Sequence, residues 1–179
     1  MKNNRYHPTT VFLHWLMFLI FAAALAFIEY RGYLPKGDPL KKDLRNWHML
    51  AGQLAFVFVV FRVSARWLFA APIDVKGARW QTWSAKAVHI ALYAVMFALP
   101  ITGALYMQAG GKEVEFFGLI LPHLTAEDAG LKTNLKYVHG LIGNGVYFRV
   151  GIHVLGALWH QFGLKDDGLR RMTFSAMKR

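Results

Sequence analysis

The sequence contains no cysteine. That excludes disulfide staples, iron–sulfur ligation, thiolate-bound haem and zinc sites built on cysteine. Acidic residues are scarce, 10 Asp and Glu against 21 Lys and Arg, so the chain carries a net charge of +11. It also lacks a phosphate-cradling glycine loop, a nucleophile–base constellation, a carboxylate pair, an internal repeat and a low-complexity linker. Long polar stretches are few, because 55% of the 179 residues are hydrophobic. With thiolates absent, histidine is the main candidate ligand, and there are eight.

The apolar residues come in four blocks, roughly 10–28, 47–69, 84–107 and 137–162. Each is about long enough to cross ~30 Å of hydrocarbon. The expected fold is therefore all-α, one four-helix up-and-down membrane bundle over residues 1–179, with the lipid bilayer as its first partner. The first block is too long for a cleavable signal peptide, and no small-residue cleavage site follows it. Basic residues cluster between the blocks and at the tail, so bilayer flanks account for them better than nucleic acid does. With the amino terminus inside, Lys2, Arg5, Arg62, Arg66, Lys76, Arg79, Lys86 and the tail put the larger share of Lys and Arg on the cytoplasmic side. Both termini are then expected in the cytoplasm. Pro100 predicts a kink in the third span. Residues 108–136 read as a long loop whose apolar island, Phe116 to Leu121, suggests a short interfacial helix.

The last block organises the rest. His139 and His153 are 14 residues apart. On a helix that places them on one face and ~21 Å apart along the axis. The separation is wrong for two ligands of one ion and suits one ligand for each of two large cofactors stacked across a bilayer. The other spans must then supply partners at two depths. His48 opens the second span as His139 opens the fourth, giving an outer pair. His14 near the start of the first span matches the depth of His153, giving an inner pair. Each pair can hold one haem between two imidazoles. A single histidine at a membrane boundary is commonly an interfacial polar residue, but ionisable groups within spans are costly and tend to mark function. Gly52 and Gly143 follow His48 and His139 by four residues, on the ligand's own face, where a missing side chain leaves room for a macrocycle; ordinary small-residue helix packing explains them equally well.

These stretches resemble the bacterial cytochrome b561 family, related to the cytochrome b subunits of formate dehydrogenase and nickel–iron hydrogenase. The resemblance rests on His14-Trp15, Trp47-His48 through Gly52, His89 through Leu99-Pro100-Ile101-Thr102-Gly103, Phe117-Gly118-Leu119 with Pro122, and His139 through His153 to His160. It implies two b-type haems ligated from the first, second and fourth helices, which maps onto His14, His48, His139 and His153. It also implies a multi-pass protein of the bacterial inner membrane that exchanges electrons with ubiquinone, and superoxide oxidation coupled to that reduction.

Two further histidines lie within the spans. His89 and His160 fall near the inner haem, as hydrogen-bonding residues between helices or as quinone-site groups, since quinone reduction consumes protons; His89 also rivals His14 or His153 as a ligand. Arg149, four residues before His153, and Arg62, deep in the second span, are candidates for haem carboxylates, with snorkelling to the surface as the alternative for Arg62. Arg31, Lys36, Lys41, Lys42 and Arg45 precede His48 on the expected outer side, against the positive-inside tendency. They read either as a solvated, lipid-binding loop or as a field that gathers a small anionic donor such as superoxide. The expected function is electron transfer from that donor to ubiquinone, a superoxide:quinone oxidoreductase. The competing readings are a membrane-anchoring cytochrome b subunit of a dehydrogenase or hydrogenase, and a haem-free transporter. The transporter lacks the paired broken helices such folds use.

Overall fold

In the computed structural model, residues 5–70, 72, 79–166 and 168–173 are described. Four long helices, α1 (Pro8–Tyr33), α2 (Leu40–Leu68), α3 (Arg79–Gln108) and α4 (Ala129–Leu158), make up almost all of it. Each is long and apolar enough to cross a membrane, α4 together with the π-helical turn Trp159–Gly163 that continues it. Lys2, Lys178 and Arg179 lie outside the described residues, as does the basic connection between Pro72 and Arg79.

The helices run past the apolar blocks because polar turns extend them. α1 starts at Pro8, whose fixed φ suits a first helical position, and the His7 side chain accepts the Thr9 amide. α2 begins at Leu40, where the Asp38 carboxylate takes the Leu40 amide, rather than at Trp47. α4 begins at Ala129, capped by the Asp128 carboxylate on the Leu131 amide at 2.7 Å.

Cross-helix contacts show the up-and-down course. Ala24 lies against His48 and Thr10 against Arg62, so residue numbers rise on α1 as they fall on α2. Phe56 against Phe97 and Arg62 against Tyr93 give the same antiparallel register for α2 and α3. Thr102 with His139 and His89 with His153 give it for α3 and α4. The helices associate as two close pairs, α1 with α2 and α3 with α4, joined where α2 meets α3. Among the described residues, α4 makes no comparably extensive backbone approach to α1 or α2.

Small residues set the closest packing. Ala51, Ala55 and Val59 recur every four residues on α2 and are buried. Such residues let helix backbones approach where lipid tails offer no hydrophobic drive. The core gathers Met17, Ala55 and Val59, with Phe21, Phe58 and Phe97 against them. Most other large apolar side chains face outward, the arrangement expected of a chain solvated by lipid. Exposed Trp67, Trp80 and Trp83 ring one end, and Tyr30, Tyr33, Trp47 and Tyr137 the other. Amphipathic rings at both ends mark the two membrane–water boundaries.

The apolar island is not a helix. Glu115–Phe116 and Leu119–Ile120 pair as an antiparallel hairpin around Phe117 and Gly118, which have φ of 50° and 82°. A two-residue loop with both φ values positive is the turn whose twist matches paired strands. The Gln53 side chain donates to the Glu115 carbonyl, and buried Gln108 holds Pro122 and Leu124, so the segment is pinned over that end of the bundle.

Candidate histidine pairs across the helix gap

His48 on α2 and His139 on α4 face each other with ring centroids 6.1 Å apart and planes at 85°. His14 on α1 and His153 on α4 do the same at 6.1 Å and 70°. Both pairs bridge the helices that α4 does not closely approach. Two imidazoles sharing one metal ion have centroids roughly 6 Å apart, a bond of about 2.0–2.1 Å to each nitrogen plus the ring radius on each side. Among the described residues there is no group of three or more ligating side chains fit to hold a metal ion. Paired imidazoles facing across a gap between helices suit a planar macrocycle with iron at its centre rather than a bare ion.

The ring nitrogens of the first pair are assigned by their partners. His48 Nδ1 lies 2.8 Å from the Ala24 carbonyl oxygen, and His139 Nδ1 lies 3.1 Å from that of Leu99. A carbonyl oxygen only accepts, so each Nδ1 carries hydrogen and each Nε2 keeps its lone pair. Outer hydrogen bonds of this kind orient ligating imidazoles and raise their basicity. Thr102 adds to the seat of His139. Its hydroxyl donates to the Ala98 carbonyl at 2.6 Å and lies 3.2 Å from His139 Nδ1. Gly103 makes the room: a Cβ there would stand 3.2 Å from His139 Cε1. Sequence reasoning missed Leu99, Thr102 and Gly103 as the support of His139. They appeared only as a quoted motif, on a helix with no ligand assigned to it.

The glycines divide. Gly52 has nothing within 4 Å of where its Cβ would be, and Gly140, Gly151 and Gly156 are equally open. Gly143 faces Leu99 of α3 at 4.0 Å, so its bare surface serves the α3–α4 contact. The other expected site residues are placed as follows. His89 on α3 stands 5.5 Å from His153, between centroids, so three histidines gather at that end. Arg62 reaches the Thr10 carbonyl of α1 at 3.4 Å and lies over the Tyr93 ring of α3, tying three helices together. The Arg149 guanidinium folds back over Gly145, where any side chain would collide with it. His160 pairs with Asp166, Nδ1 to Oδ2 at 2.5 Å, and the other Asp166 oxygen takes the Gly168 amide. That carboxylate partner was also missed; it lies in the tail, six residues beyond His160 and past the end of the span.

The five basic residues before His48 are not alike. Arg31 donates to the Lys41 carbonyl and Lys41 to the Leu34 carbonyl, so the two clasp the α1–α2 turn. Lys36 and Lys42 are exposed. Arg45 is half-buried, and its Nε is buried without a hydrogen-bond partner.

Known proteins are similar to this chain along nearly its whole length. A model of the prokaryotic cytochrome b561 family matches residues 5–175. The chain is 32% identical over 170 residues to cytochrome b561 homolog 1 of Escherichia coli (strain K12), covering 94% of this chain and 97% of that protein. It is 32% identical over 172 residues to a probable superoxide oxidase, CybB, of Yersinia pestis, covering 95% of this chain and 96% of that one. Cytochrome b561 homolog 2 of Escherichia coli (strain K12) is 31% identical over 178 residues, covering 94% and 91%.

Proposed function

Because this chain belongs to the prokaryotic cytochrome b561 family, a family of membrane electron-transfer proteins with b-type haem, we propose that it binds two haems and carries electrons from superoxide to ubiquinone. The observation that carries the reading is the pair of matched imidazole separations, 6.1 Å at each of two depths, both across the gap that α4 leaves. His48 with His139 and His14 with His153 are the ligand pairs. His14 is favoured over His89 as the partner of His153. The α3 and α4 backbones pack closely, which leaves little room for a macrocycle between them, whereas α1 and α4 stand apart. Bound haem supplies a reversible one-electron iron couple, and the protein sets its ligation, spacing and field.

The chain's own residues do the rest. Leu99 and Ala24 fix the tautomers of the first pair. Open glycines, Gly52 among them, leave backbone for a ring to lie against. The superoxide assignment is favoured by the relative in Yersinia pestis, named as a probable superoxide oxidase, and by the cations Arg31, Lys36, Lys41, Lys42 and Arg45 around the mouth beside His48. A positive cleft raises the association rate of a small anion by about 10–10³-fold, and the gain falls with salt. Two superoxide ions release two electrons and leave as dioxygen; one quinone takes both electrons with two protons and leaves as quinol. At the other end, His89 and the His160–Asp166 pair are the groups suited to deliver those protons. The proposal takes His48 to be on the outer side and both termini to be in the cytoplasm, as the balance of Lys and Arg favours.

Two measurements test the reading. Pyridine haemochrome analysis of the purified protein should give two b haems per chain, with a low-spin visible spectrum; a colourless protein ends it. Stopped-flow reduction by superoxide should be near diffusion-limited at low salt, slow as salt rises, and slow further in Lys36→Gln/Lys42→Gln. A slow, salt-independent rate in the unmodified protein would leave a generic electron carrier. Co-purification with a dehydrogenase would instead favour the anchor-subunit role.

A further inference from the structure

Arg45 sits three residues before His48 on α2, on the same helix face and about one turn closer to the helix start. Its Nε is buried and has no hydrogen-bond partner, and no ion pair to Arg45 exists among the described residues. A buried N–H left unpaired is costly even on a half-buried side chain, so the Nε of Arg45 has room for an acceptor that the polypeptide does not supply. The acidic side chains nearest in sequence are otherwise placed: Asp38 takes the Leu40 amide, and Asp43 is exposed.

A haem held between His48 and His139 carries two carboxylates on one edge. Carboxylates are costly in hydrocarbon, so residues at the nearer water boundary, here the end where α2 begins, would be the ones to hold them. Arg45 occupies that end on the ligand's own face. Guanidinium is suited to the role, because its planar fork matches a carboxylate with two parallel hydrogen bonds. The spacing recurs on the facing helix, where Lys136 precedes His139 by three residues.

We infer that Arg45 binds a haem propionate at the His48–His139 site, and that it acts on the cofactor rather than as one of the free steering charges. The inference rests on the proposed ligation of haem by that pair. It separates the basic mouth into three kinds of residue. Arg31 and Lys41 clasp the turn, Lys36 and Lys42 face solvent, and Arg45 anchors the haem edge.

The test is a spectroscopic redox titration of the purified holoprotein, with haem counts, for the unmodified chain, Arg45→Gln and Arg45→Lys. A cation beside the iron favours the reduced, less positive form. Arg45→Gln should therefore lower the midpoint of one haem, the one lost in His48→Ala, or release it, and leave the other unchanged. Arg45→Lys should restore the haem and most of the potential. Two retained haems with unchanged midpoints in Arg45→Gln overturn the inference, and so does a Lys variant no better than the Gln one. An unmodified protein with fewer than two haems would instead mark failure of the dihaem reading itself.

Discussion

Replacing His48 or His139 with alanine is expected to strip one haem from the purified protein and leave the other in place. His14→Ala or His153→Ala should remove the other haem and spare the first. On the proposed ligation the effect is all-or-none per site, because a b-type haem would be held only by its ligands and packing, and each proposed site offers two imidazoles 6.1 Å apart between centroids. His89→Ala should retain both haems even though its ring stands nearer to His153 than His14 does. Pyridine haemochrome counts on the five variants decide the matter. Loss of a haem in His89→Ala together with two haems in His14→Ala would exchange those two residues in the assignment.

The second large effect is expected far from any ligand in sequence, at Gly103. A Cβ there meets His139 Cε1 at 3.2 Å and Nδ1 at 3.5 Å, so Gly103→Ala forces the ring to yield by a few tenths of an ångström. Gly103→Val adds methyl groups to a Cβ that already stands against the imidazole edge. Overpacking of this kind costs about 1–3 kcal/mol, which is roughly 5- to 150-fold in an equilibrium constant at 1.4 kcal/mol per decade. Gly103→Val should lose the haem at His48–His139 on purification, while Gly103→Ala keeps it with a shifted midpoint. Equal haem content and potentials in the Val variant and the unmodified protein would show that the imidazole does not need that space.

The histidine pairs were legible because a helix has a fixed rise. Given four spans, the positions of His14, His48, His139 and His153 along them set their depths, and antiparallel helices translate depth into partnership. Hydropathy could not find the helix ends. Residues 40–46 and 129–136 are polar yet helical, started by side-chain bonds from Asp38 and Asp128 that hydropathy does not register. Apolar composition alone does not separate a short helix from a hairpin in the island Phe116 to Leu121; turn chemistry does. Phe117-Gly118 sits where a positive φ is required twice, and that decides for a hairpin. Gly143 stands against Leu99 of α3, a neighbour that its spacing from His139 does not reveal. The support of His139 by Leu99, Thr102 and Gly103 lies in contacts between helices, which spacing within one helix cannot reveal. The same holds for the unpaired nitrogen of Arg45, since an orphan is visible only once every neighbour has been placed.

The division of the bundle into two helix pairs bears on how the protein matures in the cell. Among the described residues, α1–α2 and α3–α4 are joined by extensive backbone packing where α2 meets α3, and the members of each histidine pair face each other across the more open side. A group ligated from both banks acts as a rivet, and anything that binds only the assembled state stabilises it by mass action. Newly made chains that outrun the supply of iron porphyrin would be left ajar along that seam, the state that quality-control proteases recognise. On the proposed ligation, the amount of this protein in the membrane would follow porphyrin supply, with no regulator of transcription needed to couple them.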